Sequence, residues 1–369
     1  MKIKFHDLSE STRDIKQEFL ERVGLLLDKA SFILGDEVEG FENAWAKYIG
    51  TEHAIGVSNG SDALWLALTA LGVKPGDEVI TQGNAYNATV TAILRAGAVP
   101  RFADIDPETF LINPAEIEPL ITSKTKAILP VHLYGQASNM SAIMEIAKKD
   151  NLFVVEDCAQ AHGATWQGKK VGAFGDAAAW SFYPTKPLGA FGDAGAVTTS
   201  SATIAEEVRF LRNLGQQSKN DHVRLGYNMR LDPIQAIALS VKLNHLDTLT
   251  KKREAVASYY NELITSAKLL VRHAKCHTEA THVFHLYPIV LATDTRDEAR
   301  TALREQGIET AIHYPELVMN QPFYPNDLLK DPCPIAESVA RSIFSLPLHE
   351  GISREEQEYI VQTLKSALA

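Results

Sequence analysis

Trp180-Ser-Phe-Tyr-Pro-Thr-Lys186-Pro-Leu-Gly-Ala-Phe-Gly-Asp-Ala-Gly195 sets a single lysine between a strand-like apolar run and a glycine-rich segment. A charged amine beside a core strand costs free energy unless it is paired or used. The direct use is covalent, because a neutral lysine amine forms a Schiff base with an aldehyde. Upstream, Leu152-Phe-Val-Val-Glu-Asp157 closes an apolar run with a carboxylate. Open α/β sheets place ligand groups at that end of a buried strand. Pro187 biases Lys186 toward an extended backbone. Gly189, Gly192 and Gly195 argue for a close backbone approach to something.

Outward from this stretch, short apolar runs alternate with helical ones between about residues 53 and 200. Strands are expected at His53–Val57, Glu78–Thr81, Val99–Phe102, Ala127–His132, Leu152–Glu156, Ala178–Phe182 and Ala196–Thr199. Several are apolar at consecutive positions, as a sheet covered on both faces requires. Helices are expected at Asp62–Leu71, Asn87–Arg95 and Met140–Lys149. This alternation predicts an α/β fold with a mostly parallel sheet. Beyond Ser200 helical patterns dominate, at Ile204–Asn213 and in one long stretch over Asp232–Ser266. From about residue 270 the chain reads as an α+β module: strands at Phe284–Leu291 and near Glu309–His313, helices at Asp297–Gln306, Ile335–Ile343 and Arg354–Leu368. The expected division is a large domain over 1–245 and a small carboxy-terminal domain over 246–369.

The chain has 369 residues, 45% hydrophobic and 22% charged, with a formal net charge of −10. Such a composition belongs to a folded, soluble protein. The acidic balance disfavours a nucleic-acid partner, which needs clustered Lys and Arg. Three widely spaced cysteines, Cys158, Cys276 and Cys333, suit free thiols in a reducing cytoplasm. No signal peptide and no membrane-spanning run is expected.

Ser58-Asn-Gly-Ser61 stands where a strand ends and a helix begins, and the helix continues with apolar Ala63-Leu-Trp-Leu-Ala-Leu68. Helix amides behind small residues can cradle a phosphate, although an ordinary Ser/Asn cap looks the same. Tyr86 follows a strand and can stack on a planar ring, or serve as a half-buried loop tyrosine. Asp157, facing a pyridine nitrogen, would keep it protonated; otherwise it is a cap or an ion-pair partner. Gln160 and Ser181 flank it as possible hydrogen-bonding groups. A Schiff-base lysine and a buried carboxylate are the two groups that a pyridoxal phosphate enzyme most needs. His273, Cys276, His277, His282 and His285 have a spacing that fits no familiar zinc arrangement, so no metal is expected.

Ser58-Asn-Gly-Ser-Asp-Ala63, Glu156-Asp-Cys-Ala-Gln-Ala-His-Gly-Ala164, Ser181-Phe-Tyr-Pro-Thr-Lys186 and Gly226-Tyr-Asn-Met-Arg-Leu-Asp232 together resemble the nucleotide-sugar aminotransferases of the DegT/StrS type. The likeness runs from Phe5-His-Asp-Leu8 to Ser345-Leu-Pro-Leu348. It implies the fold-type-I architecture of pyridoxal phosphate enzymes, like that of aspartate aminotransferase. In this likeness Lys186 is the Schiff-base lysine and Asp157 the pyridinium partner. Gln160 contacts the ring hydroxyl, Gly60, Ser61 and Ser181 hold the phosphate, and Tyr86 stacks on the ring. Asn228 matches an asparagine that reaches the neighbouring subunit's cofactor, which implies a homodimer with shared sites. His313 and Tyr314 resemble a segment near the sugar. The implied reaction aminates C3 of a dTDP-3-keto-6-deoxyhexose with glutamate, through pyridoxamine phosphate. Pro187 also occurs in relatives acting on UDP-3-keto-uronic sugars, so a UDP-3-keto-sugar aminotransferase is the alternative, and a non-catalytic regulator that binds the cofactor is another.

Overall fold

Consecutive apolar residues in a strand need cover on both faces, and the computed structural model shows where it comes from. It describes residues 2–292 and 295–368. Seven strands form the main sheet: β1 (His53–Val57), β2 (Glu78–Gln82), β3 (Val99–Ala103), β4 (Thr125–Ile128), β5 (Phe153–Asp157), β6 (Ala177–Ser181) and β7 (Gly195–Thr199). Their order is β1-β7-β6-β5-β4-β2-β3. Only β7 runs against the others, pairing antiparallel with both β1 and β6; the remaining pairs are parallel. All seven strands stand where the sequence predicts them, within a few residues. Strand β4 stops at Ile128 instead of His132, since Pro130 has no N–H to give a ladder. Pairing resumes only as an isolated bridge between Val131 and Asp157.

Alternate residues of each strand enter two different cores. Ile55, Val57, Val79, Val155, Ala179 and Val197 join one, with the apolar helix Gly60–Ala70. Ala54, Ile80, Val154, Ala178, Trp180 and Ala196 join the other, against the helices Asp36–Ile49 and Met140–Asp150. The sheet is therefore the middle layer of three, and the carboxyl ends of β1, β2, β5 and β6 meet along one edge.

The stretch expected as one helix over Asp232–Ser266 is two, Pro233–Leu243 and Leu246–Ser266. Asn244, a residue that favours turns over helix interiors, ends the first, and Asp247 sits in the first turn of the second. The second helix leads into an antiparallel sheet of β8 (Val271–His273), β9 (Tyr287–Leu291) and β10 (Ile343–Leu346), in that order. Strand β9 starts at Tyr287, three residues later than expected. The segment Glu309–His313 forms no strand. It makes a single bridge, Ala311 to Ser345, because side chains take its other acceptors. Arg300 donates to the Thr310 carbonyl (3.2 Å) and the Tyr134 hydroxyl to the His313 carbonyl (2.7 Å). Residue Ile3, from the amino-terminal segment, is buried with Tyr260, Ile289 and Phe344 in a third core. Among the described residues no helix is long and apolar enough to cross a membrane.

Candidate active site

The first four amides of a helix have no partner within it. In the helix Gly60–Ala70, Asn59 caps two of them: its Oδ1 accepts from the Asp62 amide at 2.8 Å and its carbonyl from the Ala63 amide at 3.0 Å. The two remaining N–H groups belong to Gly60 and Ser61, which line a cavity of about 480 Å³. Asp62 locks the turn. Its carboxylate accepts from the Ser58 hydroxyl (2.6 Å), the Asn59 side-chain amide (2.9 Å) and Arg95 (2.7 Å). A methyl group on Gly60 would lie 2.5 Å from Cβ of Ser181, so the two walls of this cradle can meet only without one. Gly60→Ala is therefore expected to weaken cofactor binding by about 10-fold or more, the effect of an overpacked contact, while far-UV circular dichroism stays native. An unchanged dissociation constant in equilibrium titration would remove Gly60 from the cradle.

Across the cavity, β5 delivers Asp157. The backbone zips it in place: its amide donates to Pro130 (2.9 Å) and its carbonyl accepts from His132 (3.0 Å). Its carboxylate accepts from the Thr89 hydroxyl at 2.8 Å and the Ala159 amide at 3.1 Å. Burial raises the pKa of Asp157; Thr89, the Ala159 amide and the nearby Lys186 pull it back down. Thr89 is fully buried on the helix Asn87–Arg95.

Lys186 follows β6 in a turn closed by its own amide on the Tyr183 carbonyl, 2.8 Å. Its side chain lines the cavity and, among the described residues, makes no hydrogen bond or ion pair. Burial lowers its pKa to about 8, with Asp157 acting against the shift. An amine held near neutrality with no partner is a nucleophile and a base at physiological pH. Two of the glycines after it, Gly189 and Gly195, approach the chain's own backbone. A Cβ at Gly189 would lie 2.3 Å from the Pro184 carbonyl, and one at Gly195 would lie 2.4 Å from the Asn59 backbone.

The third wall is polar and aromatic. Gln160 accepts from the Tyr134 amide (2.7 Å) and donates to the Tyr314 hydroxyl (3.1 Å). Tyr86, 52% exposed, has its ring 5.4 Å from that of Tyr314. The His313 ring is tied through Nδ1 to the Ser345 hydroxyl at 3.0 Å. Gly60, Ser61, Tyr86, Asp157, Gln160 and Ser181 thus line one cavity, together with Lys186, His313 and Tyr314. Asn228 does not; it is exposed and bridges to Asn213. Among the lining residues outside the expected set are Thr89, His6 and His285. Thr89 carries no motif, and the two histidines reach the cavity only through the tertiary fold.

The histidines and cysteine weighed as a metal cluster do not converge. His277 packs edge-on against Trp166 and His282 stacks on Phe284, while Cys276 is exposed. Among the described residues, only His132, Glu156 and Cys158 have ligand atoms close together. There the Glu156 carboxylate is already committed to His132 at 3.0 Å and to the amides of Gly172, Phe174 and Gly175.

Residues 13–365 match the DegT/DnrJ/EryC1/StrS aminotransferase family. The chain is 45% identical to a pleiotropic regulatory protein of Geobacillus stearothermophilus, over 99% of this chain and 98% of that one. It is 42% identical to the dTDP-3-amino-3,6-dideoxy-alpha-D-galactopyranose transaminase of Aneurinibacillus thermoaerophilus, over 98% of each. It superimposes on the crystal structure of NtdA from Bacillus subtilis with bound cofactor PMP with a TM-score of 0.93 and 32% identity, covering 100% of this chain and 85% of that chain.

Proposed function

The chain belongs to the DegT/DnrJ/EryC1/StrS aminotransferase family, and on that premise we propose that it moves an amino group from glutamate to C3 of a dTDP-3-keto-6-deoxyhexose, giving a dTDP-3-amino-3,6-dideoxyhexose. The observation that carries this reading is a Lys186 amine and two helix amides that have no partner among the described residues, on one cavity with a buried Asp157 carboxylate. The residues fit pyridoxal phosphate. The amides of Gly60 and Ser61 and the Ser181 hydroxyl would hold its phosphate, Tyr86 would stack on the ring, Gln160 would meet the ring hydroxyl, and Asp157 would face the ring nitrogen. When bound, that cofactor supplies a conjugated electron sink which carries the amino group from donor to acceptor.

Lys186 would hold the cofactor covalently in the resting enzyme. Once freed, its neutral amine accepts the proton from Cα of glutamate and later returns a proton to C3 of the sugar. Burial favours the neutral amine that both transfers begin or end with. Asp157 would keep a negative charge opposite the ring nitrogen; burial raises its pKa, and Thr89 and the Ala159 amide act against that shift and favour the ionised form.

The same reading makes the enzyme a cytoplasmic homodimer, with 1–245 as the cofactor domain and 246–369 as the small domain. Asn228 does not line its own cavity and would serve the neighbouring copy. Tyr183 at the cavity is exposed. Exposed Phe191 packs on Phe19 of the helix Lys16–Lys29, which also shows Leu20, Leu25 and Leu27 to solvent. A second copy is the natural cover for such a face.

Purified protein given glutamate and a dTDP-3-keto-6-deoxyhexose is expected to release 2-oxoglutarate in step with a sugar aminated at C3, identified by NMR. A preference for the UDP-linked 3-keto sugar, amination at C4, or no 2-oxoglutarate at all would overturn the proposal.

A further inference from the structure

Two imidazoles on the cavity wall, His6 and His285, make no hydrogen bond among the described residues. The segment around His6 is fixed on both sides. The Ile3 amide donates to the Gly307 carbonyl (2.8 Å), and the Phe5 amide to the Glu309 carboxylate (3.1 Å). The Ser9 amide donates to Asp7 at 2.9 Å. Phe5 stacks on His313 with ring centroids 5.7 Å apart, which turns the next residue, His6, into the cavity. Opposite it, the segment before β9 is zipped onto a loop of the large sheet. The Val283 amide donates to the Gly135 carbonyl (2.8 Å) and the Leu286 amide to the Tyr134 carbonyl (3.2 Å). That register sends His285 into the same cavity. The rings of His6 and His285 lie nearly parallel, 15° apart in plane with centroids at 6.5 Å.

Among the described residues, neither ring makes a hydrogen bond. Nδ1 of His285 is wholly buried and unsatisfied, on a residue that is only 4% exposed. Buried polar groups ordinarily find partners, and the sides of these two rings that line the cavity are where a ligand can supply one. The wall around Gly60, Ser61, Asp157, Gln160 and Ser181 is the one assigned above to the cofactor. The histidine wall comes from different segments, so it faces whichever substrate shares the cavity. Carboxylates of glutamate call for cationic partners, and burial disfavours the charged form of both imidazoles. A neutral imidazole, donor on one nitrogen and acceptor on the other, matches a hydroxyl, which also does both.

Resting on the transaminase reading, we propose that His6 and His285 form a hydroxyl-recognising wall of the sugar subsite. His6 is then a specificity-determining residue for the keto-sugar half-reaction. It contacts an uncharged hexose ring and takes no part in handling glutamate.

The test separates the two half-reactions of the holoenzyme. His6→Phe keeps a flat ring to pack edge-on against Phe5 and to stack on His285 but removes both nitrogens. It is expected to lower kcat/KM for the dTDP-3-keto-sugar about 10-fold and to weaken equilibrium binding of the dTDP-3-amino-sugar product by a similar factor. The single-turnover rate with glutamate, followed by cofactor absorbance, should stay within about two-fold. His6→Gln, which restores a donor and an acceptor, should recover part of the lost sugar binding. Equal losses in both half-reactions, or unchanged sugar binding in His6→Phe, overturn the assignment. A wild-type protein inert toward glutamate would instead strike at the transaminase reading, and product binding to the two variants would still judge His6.

Discussion

Lys186→Ala is expected to lose multiple-turnover amination by about 10⁴-fold or more while still binding pyridoxamine phosphate. The lysine is asked to do two things, hold the cofactor covalently and move protons at two carbons, and general acid–base catalysis alone contributes about 10²–10⁴-fold. The cradle of Gly60, Ser61 and Ser181 does not depend on it, so non-covalent binding should survive. Borohydride fixation followed by peptide mapping checks the covalent role: label on the Lys186 peptide in the wild type, none in the variant. Substantial turnover by the variant, or label on another peptide, would contradict it. There is a linked effect on folding. A lysine whose pKa falls from 10.5 to about 8 carries a penalty in the apo fold that is full below pH 8. The penalty fades as the pH rises toward 10.5. The apo variant should therefore melt higher than apo wild type at pH 7, and the gap should close in alkaline buffer.

Asp157→Asn is the second large loss, about 10²–10³-fold in both half-reactions. The amide oxygen still accepts from the Ala159 N–H, and its NH2 can donate to the Thr89 hydroxyl, which turns to accept, so the fold has little reason to change. What disappears is the charge opposite the ring nitrogen. Stopped-flow absorbance with glutamate, then with keto-sugar, reads the two halves separately, and a loss confined to one of them would argue against this role. The wild type should also lose rate on the acid side as Asp157 takes up a proton. Burial raises the pKa of this carboxyl in the apo protein, whereas a protonated ring nitrogen opposite it would draw the pKa down in the holoenzyme.

Much of this was legible in the chain because local signals agreed with one another. Each strand of the main sheet is a short apolar run bounded by turns. The groups at the strand ends, Ser58 to Ser61, Asp157 and Lys186, sit in motifs with fixed local geometry. What local sequence does not carry depends on distant contacts. Thr89 matters only because its helix lies over the end of β5. His6 and His285 reach the cavity only after Ile3 pairs with Ile308 and Val283 docks on Gly135. The break at Asn244 was hidden because apolar spacing continues through it. The segment Glu309–His313 reads as a strand until Arg300 and Tyr134 take its acceptors.

Strand β7, the one that runs backward, has a further consequence. It wedges between β1, which ends in the anion cradle, and β6, which leads to the reactive amine. At that point it presents Gly195, whose missing side chain would have struck the Asn59 backbone at 2.4 Å and the Trp180 carbonyl at 2.8 Å. The span between the proposed cradle and Lys186 is thus gauged by a single hydrogen atom, the thinnest shim a polypeptide can insert. Any bulkier residue there would force the jaws of the vice apart, leaving every named group intact but out of reach of its counterpart.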